Sequence, residues 1–121
     1  MTIEECYQEM DGNYAEVSKR LPSTRLIEKF IVKFLEDGSF ETLCGELQAG
    51  NRAEAFRAAL TLKGVCANLG FSRLMVSAGR LTEVLRPETD AVPDGAAALL
   101  EDVRRDYQLT AGAIRRYMGE A

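Results

Sequence analysis

Histidine and tryptophan are absent from this 121-residue chain, proline and cysteine occur three times each, and no long apolar run is present. The missing histidine excludes the most. Without imidazole there is no histidine metal ligand, no serine–histidine or cysteine–histidine nucleophile pair and no imidazole general base. Cys6, Cys44 and Cys66 are odd in number and widely spaced, with no pair at the short separation of zinc or redox motifs. Each lies on an apolar stripe and reads as a small reduced core residue. No acidic cluster suggests a metal, no cofactor is expected, and no catalytic constellation remains, so the chain is not expected to be an enzyme. No stretch approaches the roughly 20 apolar residues of a membrane helix. The start Met1-Thr2-Ile3-Glu4-Glu5 is acidic where a signal peptide would be basic, so a cytoplasmic protein is expected. A net charge of −4 argues against general attraction to nucleic acid or to an anionic membrane.

What is present is a succession of helix signals. Thr2-Ile3-Glu4-Glu5 has the form of a capping box, followed by Ile3, Cys6, Tyr7 and Met10 at helical spacing and a stop at Asp11-Gly12. Asn13 offers a second start, with Tyr14, Val17 and Leu21 on one side. From Ser23 or Thr24 to Glu36 the positions Leu26, Ile27, Phe30, Ile31, Phe34 and Leu35 form a strong stripe. Ser39 is expected to cap a helix carrying Phe40, Leu43, Cys44 and Leu47, which Gly50 ends in a left-handed conformation. Asn51, three residues before Glu54, opens a central helix that ends at Gly70. Phe71, Leu74, Ala78, Leu81 and Leu85 mark the next helix. Pro87 to Pro93 reads as a loop. Leu100, Val103, Tyr107, Thr110, Ile114 and Tyr117 then give the seam of a long last helix.

With no strand alternation, the pattern predicts an all-α chain. Its expected form is an antiparallel four-helix bundle with one or two short N-terminal helices. It should form one domain over 1–121, with 1–21 a helical extension and 22–118 the bundle.

The central helix holds an anomaly. Advancing about 100° per residue, Ala55, Ala58, Leu62, Val65, Cys66 and Leu69 gather on one side as the core stripe. Leu60 falls on the opposite side with Ala53, Phe56, Arg57, Lys63, Gly64 and Ala67. Lys63 and Arg57 flank it at about ±60°, a basic rim around an outward leucine. Thr61 lies about 100° further round and has no base to activate it. The pairs Arg104-Arg105 and Arg115-Arg116 read as solvated faces, with no nucleic-acid role.

The run Ala59-Leu60-Thr61-Leu62-Lys63-Gly64-Val65-Cys66-Ala67-Asn68-Leu69-Gly70 closely resembles the signature of histidine-containing phosphotransfer domains, the Hpt family. There the segment reads alanine, histidine, threonine, leucine, lysine, glycine, two small residues, then a short run to leucine and glycine. Helix order suits the family from about Leu21 to Tyr117. The resemblance implies a mostly antiparallel four-helix bundle whose exposed histidine meets a response-regulator receiver domain. It implies that Lys63 would neutralise a phosphoryl group and complement the receiver's acidic pocket, and that Gly64 would give the partner room. The phosphorylated histidine falls at Leu60.

The expectation is a member of two-component phosphorelay signalling that docks a receiver domain, or the receiver of a hybrid histidine kinase, through Phe56, Arg57, Leu60, Lys63, Gly64 and Ala67. It would carry no phosphate and would be a monomer. Two alternatives stay open. Leu60 replaces the histidine of an ordinary phosphotransferase scaffold, a change of one nucleotide, or the chain is a structural helical module that self-associates through its apolar patch.

Overall fold

The computed structural model describes residues 1–119, which form seven α-helices: α1 (Ile3–Glu9), α2 (Tyr14–Arg20), α3 (Thr24–Phe34), α4 (Ser39–Gln48), α5 (Arg52–Leu69), α6 (Ser72–Val84) and α7 (Ala96–Tyr117). Among the described residues no helix is long and apolar enough to cross a membrane. Helices α4 to α7 pack in sequence, α5 against α4 and α6, and α6 against α7. The connections from α4 to α5 and from α5 to α6 are short, as in an up-and-down helical bundle, and residues 85–95 join α6 to α7. The bundle closes where Phe40 of α4 stacks on Tyr107 of α7, ring centroids 4.4 Å apart.

Local chemistry explains the starts and stops. The Thr2 hydroxyl accepts from the Glu5 amide while the Glu5 carboxylate accepts from the Thr2 amide, a complete capping box. Asn13 caps α2 by accepting from Glu16, and Ser23 caps α3 by accepting from Leu26. Two expected caps differ. Ser39 is the first residue of α4, and its amide donates to the Asp37 carboxylate two residues earlier, which leaves Gly38 at the cap position. Asn51 precedes α5 without capping it; its amide group donates instead to Glu46 on the preceding helix, at 2.8 Å. Helix α3 also stops at Phe34, two residues short of the expected end.

The core unites all seven helices. Tyr7, Met10, Ile27, Ile31, Leu43, Leu62, Phe71, Leu74, Leu81, Leu85 and Ile114 are fully buried, each stabilising the fold by roughly 1.5–3 kcal/mol. Phe30, expected on the α3 stripe, is instead 38% exposed. The N-terminal segment is part of this core through Ile3, Cys6, Tyr7, Met10 and Val17. Its attachment point is Gly70, whose φ of +72° ends α5 in the left-handed region. A Cβ there would stand 2.7 Å from the Asn13 carbonyl oxygen, so both backbone angle and space demand glycine. Asn13 donates its amide to Gly70 at 2.8 Å.

A second fastening holds the irregular segment between α6 and α7. The Arg52 guanidinium, at the start of α5, donates to the carbonyls of Val84, Leu85, Arg86 and Ala91 and to the Thr89 hydroxyl. It thereby satisfies carbonyls that the end of α6 leaves without helical partners.

Candidate functional site

Helix α5 buries Ala55, Ala58, Ala59, Leu62, Cys66 and Leu69. Ala59 was not on the expected stripe, and Val65, which was, is only half-buried. The opposite side carries the six residues singled out in the sequence. Leu60 is 46% exposed. Arg57 and Gly64 are also exposed, and Phe56, Lys63 and Ala67 are half-buried along the edge facing α6. Around Gly64 nothing comes within 4 Å of where a Cβ would stand, so the fold itself does not require a glycine there.

Helix α6 runs back along α5 and supplies half of this face. The Arg86 guanidinium lies over the Phe56 ring, 5.8 Å from its centroid. Two turns away, the stem of Lys63 crosses Gly79, its Cε 3.6 Å from the Cβ position of that glycine. On the same helix Glu83 lies close enough to Lys63 to feel its charge, and Val76 is 47% exposed. Glu83 binds Arg86 through both carboxylate oxygens, at 2.8 and 3.0 Å. Arg86, and to a smaller degree Lys63, holds the Glu83 carboxyl below its ordinary value. From α2, Arg20 donates to the Ala67 carbonyl and pairs with Glu16. Its charge lies at the C-terminal end of α5, where the helix dipole favours a cation.

The basic rim is therefore more balanced than the sequence implied. Arg57 is drawn onto Glu54, one turn back on its own helix, and Lys63 shares the field of Glu83. Gly79, Glu83, Arg86 and Arg20 were not anticipated as neighbours of Lys63, Phe56 and Ala67 on this face. Only the pairing of α5 with α6 and α2 places them there, and no spacing within one helix reports it. Grooves open beside α5, one lined by Phe30, Phe34, Val65 and Leu69 and one by Ser39, Thr42, Arg57 and Thr61.

The thiols offer no nucleophile. Burial pushes Cys66 up strongly and Cys6 up to about 11, and Cys44 rises despite the adjacent Arg104. Arg104 itself is half-buried over the Phe40 ring, so it is not a freely solvated charge. The buried carboxylate Asp106 is structural. Burial would raise its carboxyl, but the bonds from Arg105 and Arg73 outweigh that and hold it below its ordinary value. Among the described residues no group of carboxylates and thiols is placed to hold a metal ion. What the α5–α6 face provides is an exposed aliphatic side chain, a lysine ammonium, and open space over a glycine.

No curated protein and no solved structure gives a significant match to the chain. Residues 25–112, well over half of the sequence, match the family model of the Hpt domain. The match spans α3 to α6 and most of α7, including the whole of the Leu60 face on α5. The chain therefore belongs to the Hpt domain family of two-component phosphorelay signalling.

Proposed function

We propose that this protein is a phosphotransfer-like adaptor that docks a response-regulator receiver domain through Phe56, Arg57, Leu60, Lys63, Gly64 and Ala67 and carries no phosphate itself. The observation that supports this most is the exposure of Leu60 one turn before Lys63 and Gly64, where the family signature has its histidine. Hpt domains interact with receiver domains and with kinases. A phosphoramidate needs an imidazole nitrogen to attack an aspartyl phosphate. The leucine side chain has no lone pair, and the chain holds no other histidine. Leucine is close to imidazole in size, so the docking surface is retained while the acceptor atom is lost.

In this reading Leu60, with Phe56 and Ala67, supplies apolar contact, and Lys63 faces the acidic pocket of the receiver. Gly64 lets the partner backbone approach. Charge complementarity of this kind mainly sets encounter rate and specificity, so association should slow as salt is raised. The outcome of docking is competition: a receiver held here is withheld from a phosphotransfer domain that has its histidine.

The test is to mix the native chain with receivers carrying labelled phosphate. Binding without transfer of label is expected. Label on the native chain would end the proposal, and a panel of receivers with no binding would remove the adaptor role. The Leu60→His variant bears on the second reading, a phosphotransferase scaffold with its acceptor replaced. Leu60 lies on an unbroken helix with its side chain turned outward, which favours accommodation of an imidazole without repacking. Uptake of label by that variant would show that the scaffold is competent.

A further inference from the structure

We infer that Gly79, on the neighbouring helix, is a positioning residue of the docking face: its missing side chain leaves a shelf on which the stem of Lys63 lies, and the shelf sets where the ammonium meets an acidic group of the partner. The partner in this inference rests on the receiver-docking reading; the contact itself does not.

A Cβ on Gly79 would have Lys63 atoms as its three nearest neighbours, Cε at 3.6 Å, Cδ at 3.7 Å and Nζ at 4.0 Å. These are ordinary contact distances, so a methyl group fits beneath the stem, whereas a longer side chain would occupy the space the stem takes. A glycine inside a helix costs about 1 kcal/mol relative to alanine. Packing within α6 does not explain it, because Lys63 is what lies over the site.

A free lysine has about 2 kcal/mol of rotamer entropy to lose on being fixed. Seating its stem on α6 removes part of that loss before a partner arrives, the usual gain from preorganisation. The head group lies in the field of Glu83, whose carboxylate is itself bound by Arg86. A carboxylate of the partner would pair with the ammonium while the stem stays in place.

The chain's composition makes the contact measurable. Its lysines are Lys19, Lys29, Lys33 and Lys63, and the first three are exposed, so they serve as internal references. The full chain, native and as Gly79→Ala and Gly79→Leu, is acylated with N-hydroxysuccinimidyl acetate and the rate at each lysine is read by peptide mass spectrometry. Both replacements favour helix over glycine, and a thermal melt verifies that both fold. Gly79→Ala should leave the relative rate at Lys63 as in the native chain, and Gly79→Leu should raise it severalfold. Equal rates in all three would overturn the shelf.

A second arm measures the Kd of a receiver domain that binds the native chain. Gly79→Leu should weaken binding severalfold and Gly79→Ala should not. The same weakening by Gly79→Leu on a Lys63→Met background would mean a direct clash and would overturn the positioning role. If no receiver binds the native chain, the docking reading fails, and the acylation rates alone decide whether Gly79 seats Lys63.

Discussion

The hydroxyl of Tyr7 donates to the carbonyl of Leu69 at 2.6 Å, joining α1 to the last turn of the helix that carries the candidate face. The ring is fully buried, and burial pushes its phenol well above the ordinary tyrosine range, so it remains a donor. Tyr7→Phe keeps the ring and removes the donor, leaving a buried carbonyl without that bond. The expected loss is about 1–2 kcal/mol, seen as a lower urea midpoint with an unchanged slope. No change in midpoint would mean that the carbonyl finds water instead.

Arg52 makes a different kind of prediction because its bonds all reach one irregular segment. A lysine keeps the charge but not the forked geometry that serves five acceptors at once. Arg52→Lys should cost about 2 kcal/mol. It should also speed limited proteolysis between Arg86 and Gly95 more than elsewhere in the chain. Cleavage that rises equally at all sites would assign the effect to global stability alone.

Acid should find Asp106. This carboxylate is 3% exposed, accepts from Arg73 at 2.9 Å and Arg105 at 3.2 Å, and is held below its ordinary value of 3.8. A carboxyl depressed on folding contributes its stabilisation in full above the unfolded pKa and loses it as pH falls through the folded one. Asp106→Asn should therefore be less stable than the native chain by about 2 kcal/mol near neutrality. The gap should narrow between about pH 5 and pH 2. A gap constant across that range in urea melts would show that the variant is weakened by packing and not by charge.

Gly64→Ala separates stability from docking. With nothing within 4 Å of the added methyl, the helix should gain about 1 kcal/mol from propensity alone, raising the melting temperature. In the proposed function the same methyl stands where the partner approaches, so receiver affinity should fall. A rise in both quantities would argue that Gly64 is no part of the interface.

Much of the helix order was legible because caps and stripes are local. Thr2, Asn13 and Ser23 cap as their spacing implies, and Gly50 and Gly70 have positive φ where the stripes end. Ser39 did not cap because it is itself the first residue of α4, its amide held by Asp37, and the Asn51 side chain turns to Glu46 instead. Periodicity pointed Leu60 outward, since the core stripe of α5 left no other place for it. It missed Ala59, a small residue that counts for little in any hydrophobic pattern yet is fully buried. Phe30 looked like core by residue type and spacing, but α3 leaves it partly in solvent. The Gly79 shelf, the Arg86–Phe56 contact and the reach of Arg52 lie between helices. A single chain read in order contains their residues but not their register.

Two glycines in helix interiors, Gly64 on α5 and Gly79 on α6, flank the same lysine, and neither is required by a turn or a positive φ. Selection for heat resistance alone would act on them before any other position of those two helices, since alanine fits at both and strengthens each helix. In a variant library sorted only by survival on heating, alanine should accumulate at these two sites. The resulting proteins would be sturdier, and the alanine at Gly64 would leave them poorer at docking, so selection for heat resistance alone would wear away part of the face.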